Sequence, residues 1–442
     1  MATTADAYLV KPDRQFVEEL LATGGGDLKK CFQCATCSVV CELAEGQRPF
    51  PRKEMHWAQW GLKDRLVADP DVWLCHQCND CSLRCPRGAR PGDVLAAVRH
   101  QAVRHYAAPR FLADWASNAK TLPLVLLIPV ILLAAALVAR DPLGNALGFG
   151  AERGFYAEFF PHWLLIGFYG LFTGLACIAA IGGIVRFWKA MRAADEADGT
   201  YEAAVGVLAS LGRTLVSIFT HDRFGKCKAQ APRRLSHLAA FYGFLALYVV
   251  TIWAVLDLYV NPYVFGIASQ YPFDLLHPMK ILANVGGVAL IFGCVKVLVD
   301  RRGTRPEVPA NTSFDLVFVW LLLAVGVTGF ATEVFRFTVE PATESSLVTL
   351  AYVVYLVHLV VVFQLLVYLP YSKFAHILYR TTAMVYAEHT ARHRPVQALT
   401  SGRAAALSAT SVPELAGASA PQAMATNSTD SDAESVEVGI HA

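Results

Sequence analysis

Residues 355–380 read YLVHLVVVFQLLVYLPYSKFAHILYR, and the predicted fold is centred on this stretch. Its apolar character predicts a membrane helix, and it carries two histidines, His358 and His376. At 3.6 residues per turn, both imidazoles would lie on one helix face, about 27 Å apart along the axis. That distance is close to the thickness of a hydrocarbon core, about 30 Å. A pair of stacked b-type haems requires this pattern; two unrelated histidines, one buried and one interfacial, are the alternative.

The composition indicates that this stretch is one of several membrane spans. Of the 442 residues, 55% are hydrophobic and 17% are charged, and the mean hydropathy is +0.40. An ordinary soluble protein is excluded by these values. Six apolar segments have the length that a span requires, at roughly 121–139, 163–187, 237–260, 277–299, 314–334 and 347–369. We therefore predict a mainly α-helical protein with a six-helix transmembrane bundle.

The distribution of basic residues predicts the orientation of the bundle. The loop 186–236 contains nine Lys or Arg residues, whereas 261–276 contains none. Basic loops stay in the cytoplasm, and the first thirty residues lack the apolar core of a signal peptide. We therefore expect a multi-pass protein of a bacterial inner membrane, with both termini cytoplasmic. The apolar segment 203–219 is interrupted by Arg213, which favours an interfacial helix over a seventh span.

Eight of the eleven cysteines precede residue 86, in two runs with the spacing C-x2-C-x2-C-x3-C. This spacing is typical of two-cluster ferredoxins, in which the fourth cysteine of each run ligates the other [4Fe–4S] cluster. One predicted cluster is bound by Cys31, Cys34, Cys37 and Cys85, and the other by Cys75, Cys78, Cys81 and Cys41. A pair of structural zinc sites is the alternative, although zinc motifs seldom use four cysteines in so short a run.

The predicted domains follow from these patterns. Residues 1–108 form a helical ferredoxin domain, 109–120 a linker, 121–390 the membrane domain, and 391–442 a disordered tail rich in Ala, Ser, Thr and Pro. Within the first domain, the segment 93–106 predicts an amphipathic helix. Its basic residues are expected to lie on a solvated face rather than to bind haem; they are Arg99, His100, Arg104 and His105.

The basic residues at the cytoplasmic ends predict the depth of four histidines. His237 and His376 lie three and four residues from Arg234 and Arg380, near the cytoplasmic surface. His277 and His358 lie 24 and 22 residues from the cytoplasmic Arg301 and Arg380, toward the outer side. Equal depth on different helices pairs His237 with His376 and His277 with His358, as axial ligands of two haems. His162 and His221 are the spare candidates.

The string HLVVVFQLLVYLPYSKFAHI, residues 358–377, resembles the last haem-binding helix of the respiratory nitrate reductase gamma subunit family. The third span departs from that family, because Leu247 stands where a second histidine is expected and His277 replaces it. The fused N-terminal domain is similar to a heterodisulfide reductase C-like ferredoxin joined to an E-like membrane cytochrome. The combination resembles the C subunits of quinone-interacting membrane-bound oxidoreductase complexes.

The predicted cofactors indicate transfer of single electrons between a lipid-soluble quinone, menaquinone or ubiquinone, and soluble proteins. Lys280, an ionisable residue inside the membrane, is a candidate to bind a quinone oxygen or a haem propionate. No GxGxxG fingerprint or other soluble-substrate site is visible, so the chain is expected to be an oxidoreductase subunit. The resemblance implies flavin-bearing cytoplasmic partner subunits and adenylylsulfate reductase. A sulfite-reductase-associated or heterodisulfide-reductase complex and a membrane redox sensor are the alternatives.

Overall fold

The computed structural model describes residues 11–45, 48–117, 120–147, 155–222, 231–302, 312–339 and 345–392. In these residues the protein is helical, and extended pairing is limited to one bridge between Glu45 and Arg48. The predicted mainly α-helical class is therefore confirmed. Apart from its first two residues, the predicted disordered tail lies outside the described residues.

Eight short helices form the N-terminal part. They are α1 (Arg14–Ala22), α2 (Thr36–Val39), α3 (Arg52–Gln59), α4 (Lys63–Val67), α5 (Pro70–Leu74), α6 (Asp80–Leu83), α7 (Pro91–Tyr106) and α8 (Arg110–Ser117). Helix α1 begins where the Asp13 carboxylate accepts a hydrogen bond from the Phe16 amide at 2.8 Å. Phe16 and Leu20, one turn apart, pack into a core with residues of α3 and α7.

Six long apolar helices in the described residues have the length and composition to cross a membrane. They are α9 (Leu122–Leu147), α10 (His162–Ala197), α12 (Ala231–Tyr259), α13 (Pro278–Asp300), α14 (Ser313–Thr338) and α15 (Ser345–Val367). The predicted six spans are thus confirmed. Helices α12 and α13 pack in close contact at Gly243, which has no side chain. A Cβ atom at this position would lie only 2.5 Å from the Leu290 backbone nitrogen. Between the second and third spans, α11 (Val207–Thr220) has 14 residues and is too short to cross.

The prediction of one continuous helix over residues 355–380 is wrong. Helix α15 ends at Val367, two 3₁₀ turns follow at Leu369–Tyr371 and Lys373–Ala375, and α16 spans His376–His389. Pro370 explains the break, because proline has no amide hydrogen and its ring clashes with the preceding turn. His358 and His376 therefore lie on different helices and do not share one face. Helix α16 packs against α5, α10 and α11.

The expected solvated face of α7 is wrong for Arg99 and His100, which are only 8% and 9% exposed, whereas His105 is exposed and Arg104 is half-buried. The Arg99 guanidinium donates a hydrogen bond to the Val72 carbonyl at 2.7 Å. The His100 ring packs on Phe314 of α14, with a centroid separation of 4.4 Å. Helix α7 thus lies between the N-terminal core and the membrane helices, which the sequence of α7 alone does not indicate.

Candidate iron–sulfur sites and membrane histidines

The two cysteine runs have the same backbone conformation. Gln33 and Ala35 lie between cysteines of the first run with φ of 60° and 67°, and Gln77 and Asn79 have φ of 52° and 68° at the matching positions of the second. Non-glycine residues rarely adopt this left-handed region. A short helix then follows each pair, α2 in the first run and α6 in the second. These turns direct successive thiols toward a common centre.

The second run shares a cavity with the last cysteine of the first run. Cys41 lines this cavity of about 440 Å³ together with Cys75, Cys78 and Cys81. The Gln77 amide donates a hydrogen bond to the Cys75 sulfur at 3.3 Å. These four thiols are the set predicted for one [4Fe–4S] cluster, and all four cysteines are free of disulfides.

The remaining set also lies together. Burial, together with negative charge at Cys31 and Cys85, raises the pKa of the Cys37 thiol to about 11. Burial likewise raises the pKa of Cys31, with added contributions from charge at Cys85 and Cys34. Four thiolates this close repel each other unless a cationic centre offsets their charge, as iron does. Both thiol sets therefore fit iron–sulfur clusters.

An arginine of α16 contacts the backbone beside the second thiol set. The Arg380 guanidinium donates hydrogen bonds to the carbonyls of Trp73 and Cys75, at 3.2 and 2.9 Å. Arg99 donates to the same Cys75 carbonyl at 3.2 Å. His376 begins the helix that carries Arg380 and lies one turn before it. The helix that begins with the candidate haem ligand His376 thus contacts the cluster ligand Cys75 through the Arg380 side chain. The sequence analysis missed this contact.

The ring of His376 is oriented as a metal ligand requires. Its Nδ1 atom lies 2.8 Å from the Lys373 carbonyl, which can only accept, so Nδ1 carries the proton. The lone pair on Nε2 is then available for a metal. Burial lowers the pKa of His376 to about 3; the hydrogen bond to Lys373 opposes this, and positive charge at Lys373 and His237 adds to it. The α12 helix that carries His237 contacts the turn before His376, because the Phe244 ring lies 5.2 Å from the Phe374 ring.

His358 has a similar arrangement inside the membrane. The Thr328 hydroxyl donates its hydrogen to the Ala324 carbonyl at 2.6 Å. Because a hydroxyl has a single hydrogen, the 2.9 Å contact between Thr328 and His358 uses the Nδ1 proton of the imidazole. This also leaves the His358 Nε2 lone pair available. His237 lies on α12, with its ring 5.4 Å from that of His221, one of the spare candidates.

His277 does not have this arrangement. It caps α13, where its Nδ1 accepts a hydrogen bond from the Met279 amide at 3.2 Å. Its Nε2 must then carry the proton, which it donates to the Gln270 side chain at 3.1 Å. Neither nitrogen has a lone pair left for a metal, so a capping role fits this geometry and a haem ligand does not.

The positions of His277 and His358 also differ along the membrane normal. His358 contacts Thr328, whereas the ring of His277 stacks on Phe273, whose carbonyl accepts a hydrogen bond from Arg336. Thr328 and Arg336 are two turns apart on α14, or about 12 Å. The predicted equal depth of the two histidines has no support in this geometry. His162, the other spare candidate, begins α10 with its ring 5.5 Å from Tyr271.

Lys280 is paired with an acid that sequence reasoning overlooked. Its ammonium group lies 3.0 Å from the Glu333 carboxylate of α14, and both side chains are largely buried. The Asn284 amide donates a second hydrogen bond to Glu333 at 3.1 Å. A glutamate inside the fifth span is a signal in itself, because ionisable residues in membrane helices are rare and mark functional sites.

Comparison with known proteins separates the chain into two parts. The family model for citrate utilization protein B matches residues 116–398, and a 4Fe-4S dicluster domain model matches residues 27–89. The chain belongs to the citrate utilization protein B family. A family member from Escherichia coli is 28% identical over 374 residues, which cover 81% of this chain and 89% of that protein. No solved structure matches the chain.

The N-terminal part is similar to iron–sulfur subunits of heterodisulfide reductases. The C subunit of the H(2):CoB-CoM heterodisulfide,ferredoxin reductase from Methanothermobacter marburgensis is 37% identical over 92 residues, 21% of this chain and 50% of that protein. A protein from Archaeoglobus profundus that is named as similar to the heterodisulfide reductase C subunit is 33% identical over 108 residues, 24% of this chain and 56% of that protein. The chain spans about half the length of these two relatives.

These similarities confirm part of the predicted resemblance. An iron–sulfur domain of the heterodisulfide reductase C type is fused to a membrane domain, and the dicluster match includes all eight clustered cysteines. The protein is a membrane-associated iron–sulfur protein of the electron-transfer type. The finer resemblances, to C subunits of quinone-interacting complexes and to nitrate reductase gamma subunits, stay predictions.

Proposed function

We propose that this chain is the membrane subunit of an oxidoreductase complex and transfers electrons between a membrane quinone and a cytoplasmic redox protein. The observation that carries the proposal is the contact of Arg380 with the Cys75 carbonyl. Through it, the helix that begins with a candidate haem ligand is fixed to the loop that holds a cluster ligand. The clusters would supply one-electron redox chemistry at the cytoplasmic side.

The membrane part of the proposal rests on histidines. His376 has a lone pair available on Nε2, and the helix that carries His237 contacts the turn before His376, which supports the predicted haem b at this pair. The second predicted haem, between His277 and His358, is not part of the proposal, because His277 uses both ring nitrogens in other hydrogen bonds. Haem stoichiometry distinguishes one haem from two.

We place the proposed quinone site beside Lys280. The Lys280 ammonium is the candidate donor to a quinone oxygen, with the haem propionate as the other possible acceptor. Glu333, paired with Lys280 at 3.0 Å, is suited to receive the proton that a quinol releases on oxidation. A charged pair inside a span is costly, so its presence supports a functional role.

The soluble partner is a cytoplasmic redox protein, and two kinds of partner are candidates. Flavin-bearing subunits and adenylylsulfate reductase are the partners that the resemblance implied. The relative that covers 81% of the chain is named for citrate utilization, which favours a flavin-bearing partner from citrate metabolism instead. The proposed location is the inner membrane of a bacterium, with both termini in the cytoplasm.

The experiment uses inverted membrane vesicles that contain the chain. Each candidate partner is added in its reduced form, and the reduction of menaquinone is followed by extraction and chromatography. We expect one flavoprotein to reduce menaquinone only in vesicles with the chain, and Lys280→Ala to slow it. A haem-free protein with no quinone reduction by any donor would favour the redox-sensor alternative.

A further inference from the structure

The two thiol sets differ in their access to solvent. Cys75 is buried, and its carbonyl accepts hydrogen bonds from Arg99 and Arg380. Cys34, by contrast, is exposed, and its thiol contacts the Thr36 hydroxyl at 3.4 Å. The set of Cys31, Cys34, Cys37 and Cys85 therefore contains the one exposed cysteine of the two runs, although its Cys37 is buried.

Large apolar side chains surround the exposed thiol. Phe32 is 66% exposed and Val39 is 84% exposed, on either side of Cys34 in the sequence. Leu83 is also exposed, on α6, which packs against the α2 helix that carries Val39. Exposed apolar groups gathered around one site mark an interaction surface on a soluble domain. We call the surface of Phe32, Cys34, Val39, Arg52 and Arg87 the Cys34 surface.

The Cys34 surface is basic. The Arg87 guanidinium lies over the Phe32 ring, 4.2 Å from its centroid. The Arg52 backbone amide donates a hydrogen bond to the Ser38 hydroxyl at 3.4 Å, which places this exposed arginine beside Val39. The exposed basic residues in and next to this surface are Lys29, Lys30, Arg52, Arg84 and Arg87. They outnumber the acidic residues of the same region, which are Asp27, Glu42 and Asp80. Asp27 is already paired with Lys30 at 2.6 Å.

We propose that the Cys34 surface is the docking site of an acidic, soluble redox protein; this inference rests on the proposed function and names the kind of partner. The basic residues favour a partner with negative surface charge, and Phe32 and Val39 supply the apolar centre of the interface. An anionic membrane would also attract such residues. A redox partner is favoured because the exposed candidate ligand Cys34 lies at the centre of the surface, where a lipid headgroup has no use for it.

The test measures binding of an acidic flavodoxin to the full chain in lipid nanodiscs, with basic cytochrome c as the opposite-charge probe. At low ionic strength we expect Arg52→Glu and Arg87→Glu together to weaken flavodoxin binding at least about tenfold. The difference should shrink to less than about twofold near 1 M salt, where the Debye length is about 3 Å. Arg14→Glu, an exposed change on α1 of the same domain, should alter binding by less than about twofold.

Two further measurements keep the outcomes separate. A zero-length carbodiimide cross-link between unmodified chain and flavodoxin is expected at Lys29 or Lys30, which does not depend on how the variants fold. Equal effects of Arg14→Glu and the double variant, or cross-links only at distant lysines, would overturn the proposal. Binding of anionic vesicles that falls in parallel with flavodoxin binding would assign the surface to lipid instead. Quinol-driven cluster reduction in the unmodified chain, measured without flavodoxin, tests the proposed function independently.

Discussion

The last described turn of the chain closes a buried ionic network, and its removal is the sharpest stability test. Arg392 is 4% exposed at its side chain and pairs with Asp69, Asp71 and Asp195, at 3.5, 3.0 and 3.1 Å. Asp69 and Asp71 flank the start of α5, whereas Asp195 lies near the end of α10. Arg392→Ala therefore removes the cation that joins the cysteine domain to a membrane helix.

The magnitude follows from what remains after the change. Breaking a buried ion pair costs about 3–5 kcal/mol, because a charge is left buried without its partner. Lys53 still pairs with Asp69 at 2.9 Å, and the Tyr386 hydroxyl still donates to Asp195 at 2.9 Å. We therefore expect the lower end, about 3 kcal/mol, which corresponds to roughly a 100-fold change in a local opening equilibrium.

Hydrogen exchange followed by mass spectrometry measures this opening directly. Backbone amides of α5 and α16 should exchange roughly 100-fold faster in Arg392→Ala, while the amides of α13 should be unaffected. Arg192→Ala is the matched control, because Arg192 pairs with Glu196 on the same α10 helix but both side chains are about half exposed. Solvent-exposed pairs contribute little, so α5 and α16 should exchange as in the unmodified protein. Equal exchange in the two variants would refute the assigned role of Arg392.

Three other outcomes are expected. Cys34→Ala should lose about four of about eight non-haem irons per chain in a colorimetric assay. Cys177→Ala, a change of an exposed α10 cysteine outside the two runs, should retain all of them. Full iron content in Cys34→Ala would contradict the predicted ligand set. His376→Ala should abolish the reduced b-type haem absorbance of its site, whereas His277→Ala should leave the total haem content per chain unchanged; loss of a haem in His277→Ala would restore the sequence-based pairing of His277 with His358. Burial holds the pKa of the Glu54 carboxyl well above its usual range, so the folded protein retains a proton that the unfolded chain loses above about pH 4.3. The free energy of unfolding of the wild type therefore falls as pH rises. Thermal unfolding should show that Glu54→Gln stabilises the protein, by an amount that grows from about pH 5 to about pH 8. A stabilisation that shrinks as pH rises would contradict a protonated Glu54 in the folded protein.

Local patterns predicted the helical class and the dicluster iron–sulfur domain well. The spacing of the cysteines sets which thiols converge, because each run adopts the same left-handed turns at Gln33 and Gln77. The six spans follow from apolar length alone. These features depend on residues close together in sequence, which is why sequence reasoning reached them.

The features that depend on distant contacts were missed or mistaken. Arg99 and His100 have the composition of a solvated face, and only the packing of α14 against α7 shows that they are buried. Pro370 was visible, yet its effect on the helix decides whether His358 and His376 share a face. The protonation of His277 at Nε2 depends on its contact with Gln270, and the pairing of Lys280 on the fourth span depends on Glu333 of the fifth.

The central claim is that electrons pass between a membrane quinone and the clusters. The most direct measurement adds menadiol, a soluble menaquinol analogue, to the nanodisc-embedded chain under oxygen-free conditions and follows the clusters by low-temperature electron paramagnetic resonance. We predict that the reduced-cluster signal appears, and that His376→Ala and Arg380→Ala slow its appearance while dithionite still produces it in full. A chain whose clusters are reduced by dithionite but never by menadiol would contradict the account.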